Sequence, residues 1–168
     1  MKKTKQFVFA LLMVSMAMVA QKREDQRTME WRYEIECAGV GPEGTYLVKV
    51  YTYSKKRELP MEQAKKNAVH GILFKGYAGD RALNCATQKP ICTNPNIEFE
   101  KKEFFETFFQ NGGKYMKYVF DSSDGNINPA DCMKVGKEYK VGVMISVSKD
   151  LLRKDLEAAG IIRNYKDF

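Results

Sequence analysis

The stretch KEYKVGVMISV, residues 137–147, decides the fold predicted for this chain. Apolar side chains occupy every second position of it: Tyr139, Val141, Val143, Ile145 and Val147. Strict alternation predicts a β-strand that turns one face to a core and the other to solvent. A helical pattern follows directly in SKDLLRKDLEAAG, residues 148–160, with Ser148 as its N-cap and Gly160 as its end. The C-terminal part of the chain is therefore predicted as a strand followed by a helix.

The N-terminal half contains two further strands and a helix. WRYEIEC, residues 31–37, and TYLVKVYTY, residues 45–53, both alternate and are separated by the Gly/Pro-rich AGVGPEG, which predicts a β-hairpin. Residues 59–79 then carry an apolar stripe at steps of three and four: Met61, Ala64, Ala68 and Ile72. That spacing predicts an amphipathic helix, which we expect to end at Gly79.

The middle of the chain is rich in aromatic residues. EKKEFFETFFQNGG, residues 100–113, places four rings on one helical face: Phe104, Phe105, Phe108 and Phe109. We expect them in the core, because four exposed rings would form a large apolar patch. KYMKYVF, residues 114–120, is predicted as another strand. The order is then β-β-α-α-β-β-α, which predicts the α+β class, with one mostly antiparallel four-stranded sheet and three helices.

The N-terminus has the pattern of a secretory signal peptide. Three lysines precede an apolar run over residues 7–20, which is shorter than the roughly 20 residues of a membrane span. We predict a signal peptide over residues 1–20, a polar leader over 21–30 and a single α+β domain over 31–168. A cut after Ala17 and an uncleaved anchor are the alternatives. The predicted location is periplasmic or secreted, with no lipid-attachment cysteine and no membrane span in the mature chain.

Charge and motifs exclude several classes of function. The formal net charge is +7, and three of these charges are lysines of the predicted signal peptide, so the mature chain keeps +4. This modest charge on an exported domain gives no reason to expect a nucleic-acid partner. The sequence contains no phosphate loop, dinucleotide fingerprint or HExxH motif. No cofactor is therefore expected.

Four cysteines form an even count, which in an exported chain predicts two disulfides. The favoured pairing closes CATQKPIC on itself through Cys85 and Cys92, which leaves Cys37 and Cys132 as a long-range pair. Zinc binding is the competing use of four cysteines. It is disfavoured because the spacings are irregular and no CxxC pair occurs.

DSSDGNINPADC, residues 121–132, is a candidate calcium loop. The oxygen-bearing side chains proposed as ligands are Asp124, Asn126, Asn128 and Asp131. An EF-hand register would place Phe120 at the first ligand position, and a strand precedes the stretch where a helix would stand. The favoured interpretation is therefore a polar turn, in which Asp, Asn, Gly and Pro satisfy local backbone requirements.

A cluster of aromatic and cationic residues is the candidate partner-binding site. Its members lie at the end of the second strand and on the following helix: Tyr51, Tyr53, Lys55, Lys56, Arg57 and His70. His70 is the only histidine, and its position on the helix predicts that it faces away from the alanine stripe, as a polar surface or helix-packing residue. No serine or cysteine nucleophile is paired with it by any local motif, so no catalytic residue is predicted.

Two segments carry a resemblance to a known class of module. TYLVKVYTYSKKRELPMEQAKKNAVHGIL, residues 45–73, and YKVGVMISVSKDLL, residues 139–152, resemble small α+β modules of the Gram-negative envelope. These modules occur in outer-membrane-associated lipoproteins and at the amino terminus of a flagellar T-ring accessory protein. The resemblance implies a non-catalytic assembly or binding role and brings no site residues with it.

The predicted function is that of an exported, disulfide-stapled domain that binds or scaffolds an envelope protein without catalysis. Two alternatives remain open. One is a hydrolase-type enzyme whose active-site residues are scattered along the sequence. The other is a calcium-dependent binding module that uses the loop at residues 124–131.

Overall fold

The computed structural model describes residues 31–55, 57, 61–123 and 125–163. The predicted signal peptide and leader, residues 1–30, lie outside the described residues, so both stay predictions. The fold is that of the compact unit beginning at Tyr33. Among the described residues, no helix has the length and apolar character needed to cross a bilayer.

A curled antiparallel sheet of five strands forms the frame. Its strands are β1 (Tyr33–Gly39), β2 (Tyr46–Ser54), β3 (Val119–Asp121), β4 (Cys132–Val135) and β5 (Glu138–Val147). The order is β1-β2-β5-β3, and β4 also pairs with β5. β2 follows β5 along most of its length, from Tyr46 opposite Val147 to Ser54 opposite Tyr139. β3 and β4 therefore share the other edge of β5, one at each end of the strand.

Four α-helices accompany the sheet in the described part of the chain. They are α1 (Met61–His70), α2 (Ile97–Glu100), α3 (Lys102–Phe109) and α4 (Lys149–Ala158). α1 continues into a π-helical turn over Gly71–Lys75, and short 3₁₀ helices cover Lys114–Tyr118 and Pro129–Asp131. Together with the sheet, these helices confirm the α+β class.

The core lies between the sheet and α1. The inward positions of β2 and β5 are fully or almost fully buried: Val48, Val50, Thr52, Val141, Val143, Ile145 and Val147. On α1, Ala64 and Ala68 are both fully buried, and Ala64 packs on Val141 and Val143. Small side chains let the helix approach the strands closely, and the buried Asn67 donates from Nδ2 to Thr52 Oγ1 at 2.9 Å. Each buried valine or isoleucine contributes about 1.5–3 kcal/mol to folding.

The sheet has five strands where four were predicted. Residues 114–120 were predicted as one strand, but Lys114–Tyr118 form a 3₁₀ helix and the strand begins only at Val119. The reason is the spacing of Tyr115 and Tyr118, both buried, which a helix of three residues per turn places on one side. The additional strand, β4, has only four residues, three of them exposed, so it lacks a periodic pattern.

The first helix ends earlier than predicted. Gly76, not Gly79, stops it: Gly76 has φ +69°, and its N–H donates to Gly71 O at 2.8 Å. A Cβ at Gly76 would lie 2.2 Å from the carbonyl oxygen of Gln88. Only glycine combines this backbone conformation with so close an approach of a neighbouring chain segment.

The cysteine pairing differs from the prediction. A disulfide joins Cys37 on β1 to Cys85, whereas Cys92 and Cys132 are free thiols. The predicted pairs, Cys85 with Cys92 and Cys37 with Cys132, are therefore wrong. The backbone explains why the short ring does not form. Cys85 closes a tight turn with Asp80, while the N–H of Cys92 donates to Leu73 O at 2.9 Å and draws Cys92 beneath the end of the helical segment.

Candidate functional site

The sheet turns one of its faces to solvent. We call this the outer face; it consists of the outward positions of the strands, which alternate with the buried core positions. The outward residues are Glu34 and Glu36 on β1, Leu47, Lys49, Tyr51 and Tyr53 on β2, Phe120 on β3, Met133 and Val135 on β4, and Glu138, Lys140, Gly142, Met144 and Ser146 on β5. All except Gly142 are half-buried or exposed.

An ion pair crosses the outer face from β1 to β5. Lys140 Nζ lies 2.6 Å from Glu34 Oε2, and Tyr53 donates from its hydroxyl to Glu34 Oε1 at 2.8 Å. Tyr53 stands opposite Lys140 in the register of β2 and β5, so the three side chains meet over the intervening strand. The hydrogen bonds from Lys140 and Tyr53 lower the pKa of Glu34. The hydrogen bond to Glu34 in turn raises the pKa of Lys140. Both charges are thus held in place at neutral pH.

A second ion pair ties β2 to the segment before β4. Lys49 Nζ contacts both carboxylate oxygens of Asp131, at 3.0 and 2.9 Å. This contact raises the pKa of Lys49. Tyr51 extends a weak hydrogen bond of 3.4 Å to the same carboxylate. The Asp131 carboxylate therefore contacts two side chains of β2, Lys49 and Tyr51, across β5.

The ring of Tyr51 occupies the centre of the outer face. Lys140 Nζ lies 4.6 Å from the ring centroid, a cation–π distance. Beneath the ring is Gly142, where a Cβ would come 2.6 Å from Tyr51 Cε1. Glycine at the middle of the central strand therefore provides the space in which the ring packs on the backbone. The two ion pairs and the Tyr51 ring together form a connected set of six polar side chains, which we call the polar lattice: Glu34, Lys49, Tyr51, Tyr53, Asp131 and Lys140.

Exposed apolar side chains adjoin the polar lattice on β5 and its neighbours β3 and β4. Phe120 is 57% exposed, Met133 and Val135 are each 46% exposed, and Met144 is 38% exposed. We call these four residues the apolar strip. The outer face thus combines fixed polar groups with accessible hydrophobic surface.

The predicted aromatic and cationic cluster is brought together only in part. Tyr51 and Tyr53 lie on the outer face, but their cationic partner is Lys140. Lys55 is exposed just beyond β2, and Arg57 lies 6.0 Å from the ring centroid of Tyr139, at the end of β5. Lys56 lies outside the described residues. Tyr51 and Tyr53 therefore belong to the polar lattice, whereas Lys55 and Arg57 do not.

His70 was predicted as a polar surface or helix-packing residue, and its burial shows that the surface alternative is wrong. Its side chain is buried, with Nδ1 2.6 Å from the Tyr33 hydroxyl and Nε2 3.2 Å from Glu98 Oε1. The rings of Phe74 and Phe109 pack beside it, at centroid distances of 4.8 and 5.9 Å. The reason is that α1 is covered on two sides, by the sheet and by α3, so facing away from the alanine stripe does not mean facing solvent.

Burial also determines the protonation of His70. Desolvation lowers its pKa, and the neighbouring Glu98 opposes this effect only in part. The neutral ring donates from Nε2 to Glu98 and accepts at Nδ1 from Tyr33, whose pKa is raised mainly by its own burial. The imidazole is therefore a partnered group of the core, remote from the outer face.

The candidate calcium loop is closed by its own hydrogen bonds. Asp121 accepts from the N–H groups of Ser123 and Gly125, both at 2.8 Å. Asn128 Oδ1 accepts from the N–H of Ala130 at 3.0 Å, which stabilises the following 3₁₀ turn. Asp131, proposed as a ligand, instead binds the ammonium group of Lys49. Asp124 lies outside the described residues. Among the residues that are described, no three His, Cys, Asp or Glu side chains converge on a point that could hold a metal ion.

Comparison with known proteins gives no relative from which a site could be transferred. No family model matches the chain, and no curated protein and no solved structure matches it. The resemblance to envelope modules therefore stays a prediction.

Several residues of the outer face were not singled out from the sequence. Glu34, Lys49 and Lys140 occupy outward positions of strands whose alternation is plain in the sequence. Gly142 interrupts the strongest strand pattern, and a glycine inside a strand often marks the close approach of another group. These two signals together could have indicated the outer face, although the strand order that joins the residues could not be known.

Proposed function

We propose that this chain is an exported, non-catalytic domain that binds a protein partner of the cell envelope through the outer face. The observation that carries the proposal is the combination of the polar lattice with the apolar strip on one accessible side of the sheet. Tyrosine and methionine are enriched at protein interfaces, and such surfaces combine apolar contacts with ordered polar groups.

The order of the polar lattice supports a binding role. Tyr51 is held by Lys140, Asp131 and the backbone at Gly142 before any partner arrives. Side chains that are already fixed lose little conformational entropy on association, so more of the contact energy contributes to affinity. Since Lys49 and Lys140 each face a carboxylate, the face presents matched charges to a polar partner surface.

The non-catalytic part of the proposal is supported by the state of the reactive groups. Both ring nitrogens of His70 have partners. Cys37 and Cys85 are consumed in the disulfide, and burial raises the pKa of the Cys92 thiol to about 11. A thiol with such a pKa carries almost no thiolate at neutral pH, and the thiolate is the reactive form.

Export is supported by the sequence pattern of the N-terminus, and a disulfide is compatible with an oxidising compartment. An envelope partner is the choice consistent with that location and with the resemblance to envelope modules. The calcium alternative is less well supported, because Asp131 is bound by Lys49.

Site-specific photo-crosslinking in cells of the source organism tests the proposal. A photoreactive amino acid replaces Met144 or Phe120 on the outer face, and replaces Phe99, which is 83% exposed on α2, as the matched control. We expect one discrete adduct, containing an envelope protein, from both outer-face positions and none from Phe99. Adding Tyr51→Ala is expected to reduce the yield. The same adduct from Phe99, or none from the outer face, contradicts the proposal.

A further inference from the structure

A concave surface lies apart from the outer face, among α3, the 3₁₀ helix Lys114–Tyr118 and α4. Its volume is about 380 Å³, which falls within the range of roughly 300–1,000 Å³ typical of small-molecule sites. We call it the aromatic groove. The residues that characterise its lining are Phe104, Phe108, Lys114, Lys117, Tyr118 and Asp155.

The apolar part of the groove is built from parallel rings. The planes of Phe104 and Phe108 are inclined by only 19°, with centroids 5.8 Å apart. The planes of Phe108 and Tyr118 are inclined by 20°, with centroids 6.0 Å apart. Phe108 and Tyr118 are buried, whereas Phe104 is half-buried and keeps part of its surface accessible. Such a wall favours a flat aromatic group, because rings stack with an offset or meet edge to face at these separations.

The polar part of the groove carries one uncompensated positive charge. Lys117 Nζ lies 2.6 Å from Asp155 Oδ2, and the hydroxyl of Tyr118 donates to the same oxygen at 2.8 Å. These contacts lower the pKa of Asp155, so its carboxylate neutralises Lys117. Lys114, the other cation of the lining, forms no ion pair within the described part of the chain. A single anionic group on a ligand would complete the charge balance.

We propose that the aromatic groove binds a small aromatic molecule that carries one negative charge. The ring of the ligand packs against Phe104 along the wall of rings, and its anionic group pairs with Lys114. Asp155 disfavours a ligand with a second anionic group near Lys117, because like charges repel at close range. This inference uses residues distinct from the outer face and stands or falls separately from the proposed function.

Two fluorescent probes with the same ring system test the charge requirement. Anilinonaphthalene sulfonate is aromatic with one negative charge, and phenylnaphthylamine lacks the sulfonate. Both are titrated into the purified disulfide-bonded protein. We expect Lys114→Ala to weaken sulfonate binding about fivefold, the upper range for an exposed charge pair, and to leave binding of the neutral probe unchanged. Lys134→Ala, an exposed lysine on β4, is the matched control and is expected to change neither. An equal loss of both probes in Lys114→Ala, or no loss of either, overturns the proposal.

A second pair of variants tests the location. Ala159 also lines the groove and is exposed, with φ −82° and ψ −2°, a conformation open to any residue. Ala159→Trp is therefore expected to fold normally, to fill the groove and to weaken both probes at least tenfold. Ala82→Trp, at an exposed turn outside the groove, is expected to have no effect. If Phe120→Ser on the outer face abolishes sulfonate binding while Ala159→Trp leaves it intact, the probe binds elsewhere and the proposal is wrong.

Discussion

Gly142 is the residue on which the arrangement of the outer face depends. A methyl group there would come within 2.6 Å of the Tyr51 ring, so the ring would have to leave its place over the strand. The loss reaches beyond one contact, because the ring also meets Lys140 and Asp131. Because Gly142 has no side chain, the Tyr51 ring is able to pack on the strand and make these contacts at the centre of the polar lattice.

We expect Gly142→Ala to lower the free energy of unfolding by about 1–2 kcal/mol, even though alanine ordinarily stabilises a strand relative to glycine. Urea denaturation of both proteins measures this difference. In a Tyr51→Ala background the same substitution is expected to cost much less, because only the 3.2 Å approach to Asp131 Cβ remains. A destabilisation of equal size in both backgrounds would show that the ring is not the cause.

Burial of His70 predicts a specific dependence of stability on pH. Because burial lowers the pKa of the folded ring below its ordinary value of 6.5, the unfolded chain binds the proton more readily. The free energy of unfolding should therefore fall as the pH drops below about 6.5, by at most ~1.4 kcal/mol per pH unit. His70 is the only histidine, so His70→Gln should remove this dependence between about pH 7.5 and 5.5. An unchanged slope in the variant would contradict the assignment.

At the scale of elements, long periodic segments were predictable and short ones were not. β5 and the β1–β2 hairpin follow from alternation, and α1 follows from the alanine stripe. β4 and the 3₁₀ helix at residues 114–118 are too short to establish a period, and their conformation depends on the elements that they contact. The sequence could not decide between a surface and a helix-packing position for His70 for a related reason, because it does not indicate that Phe109 of α3 packs against this side of α1.

The disulfide between Cys37 and Cys85 also acts at this scale, since it fastens β1 to a loop outside the helices and strands. Its partners could not be chosen from the sequence, because three pairings of four cysteines are formally possible and only the fold decides among them. The bond closes a separation of 48 residues, so the double variant Cys37→Ser, Cys85→Ser should lose about 2–4 kcal/mol of stability.

Urea denaturation with and without the disulfide measures this loss, with Cys132→Ser as the control. Cys132 is a half-buried thiol, and its replacement should cost less than about 1 kcal/mol.

Peptide mapping of the native protein should recover one crosslinked pair, with Cys92 resistant to alkylation until the protein unfolds. A fragment that links Cys85 to Cys92 would refute the pairing described here.

At the scale of the whole molecule, the location of the protein is the central prediction. If residues 1–20 are a cleaved signal peptide, the intact mass of the native protein should equal that of residues 21–168 with one disulfide bond. Intact mass spectrometry of material recovered from the periplasm or the medium tests this directly. A native mass that includes residues 1–20, or four reduced thiols, would contradict export to an oxidising compartment.

The strand order has a consequence for how the chain reaches its final form. β1 with β2, and β4 with β5, are hairpins between sequence neighbours, yet the seam that unites them pairs Tyr46 with Val147. Everything from α1 to α3 lies between these two partners, so the sheet closes only after nearly the whole chain has been synthesised. Contacts between such distant residues slow folding. Cys37, Cys85 and Cys92 all precede β5 in the sequence, so a chain whose sheet has not yet closed carries a third thiol that is able to capture the wrong sulfur.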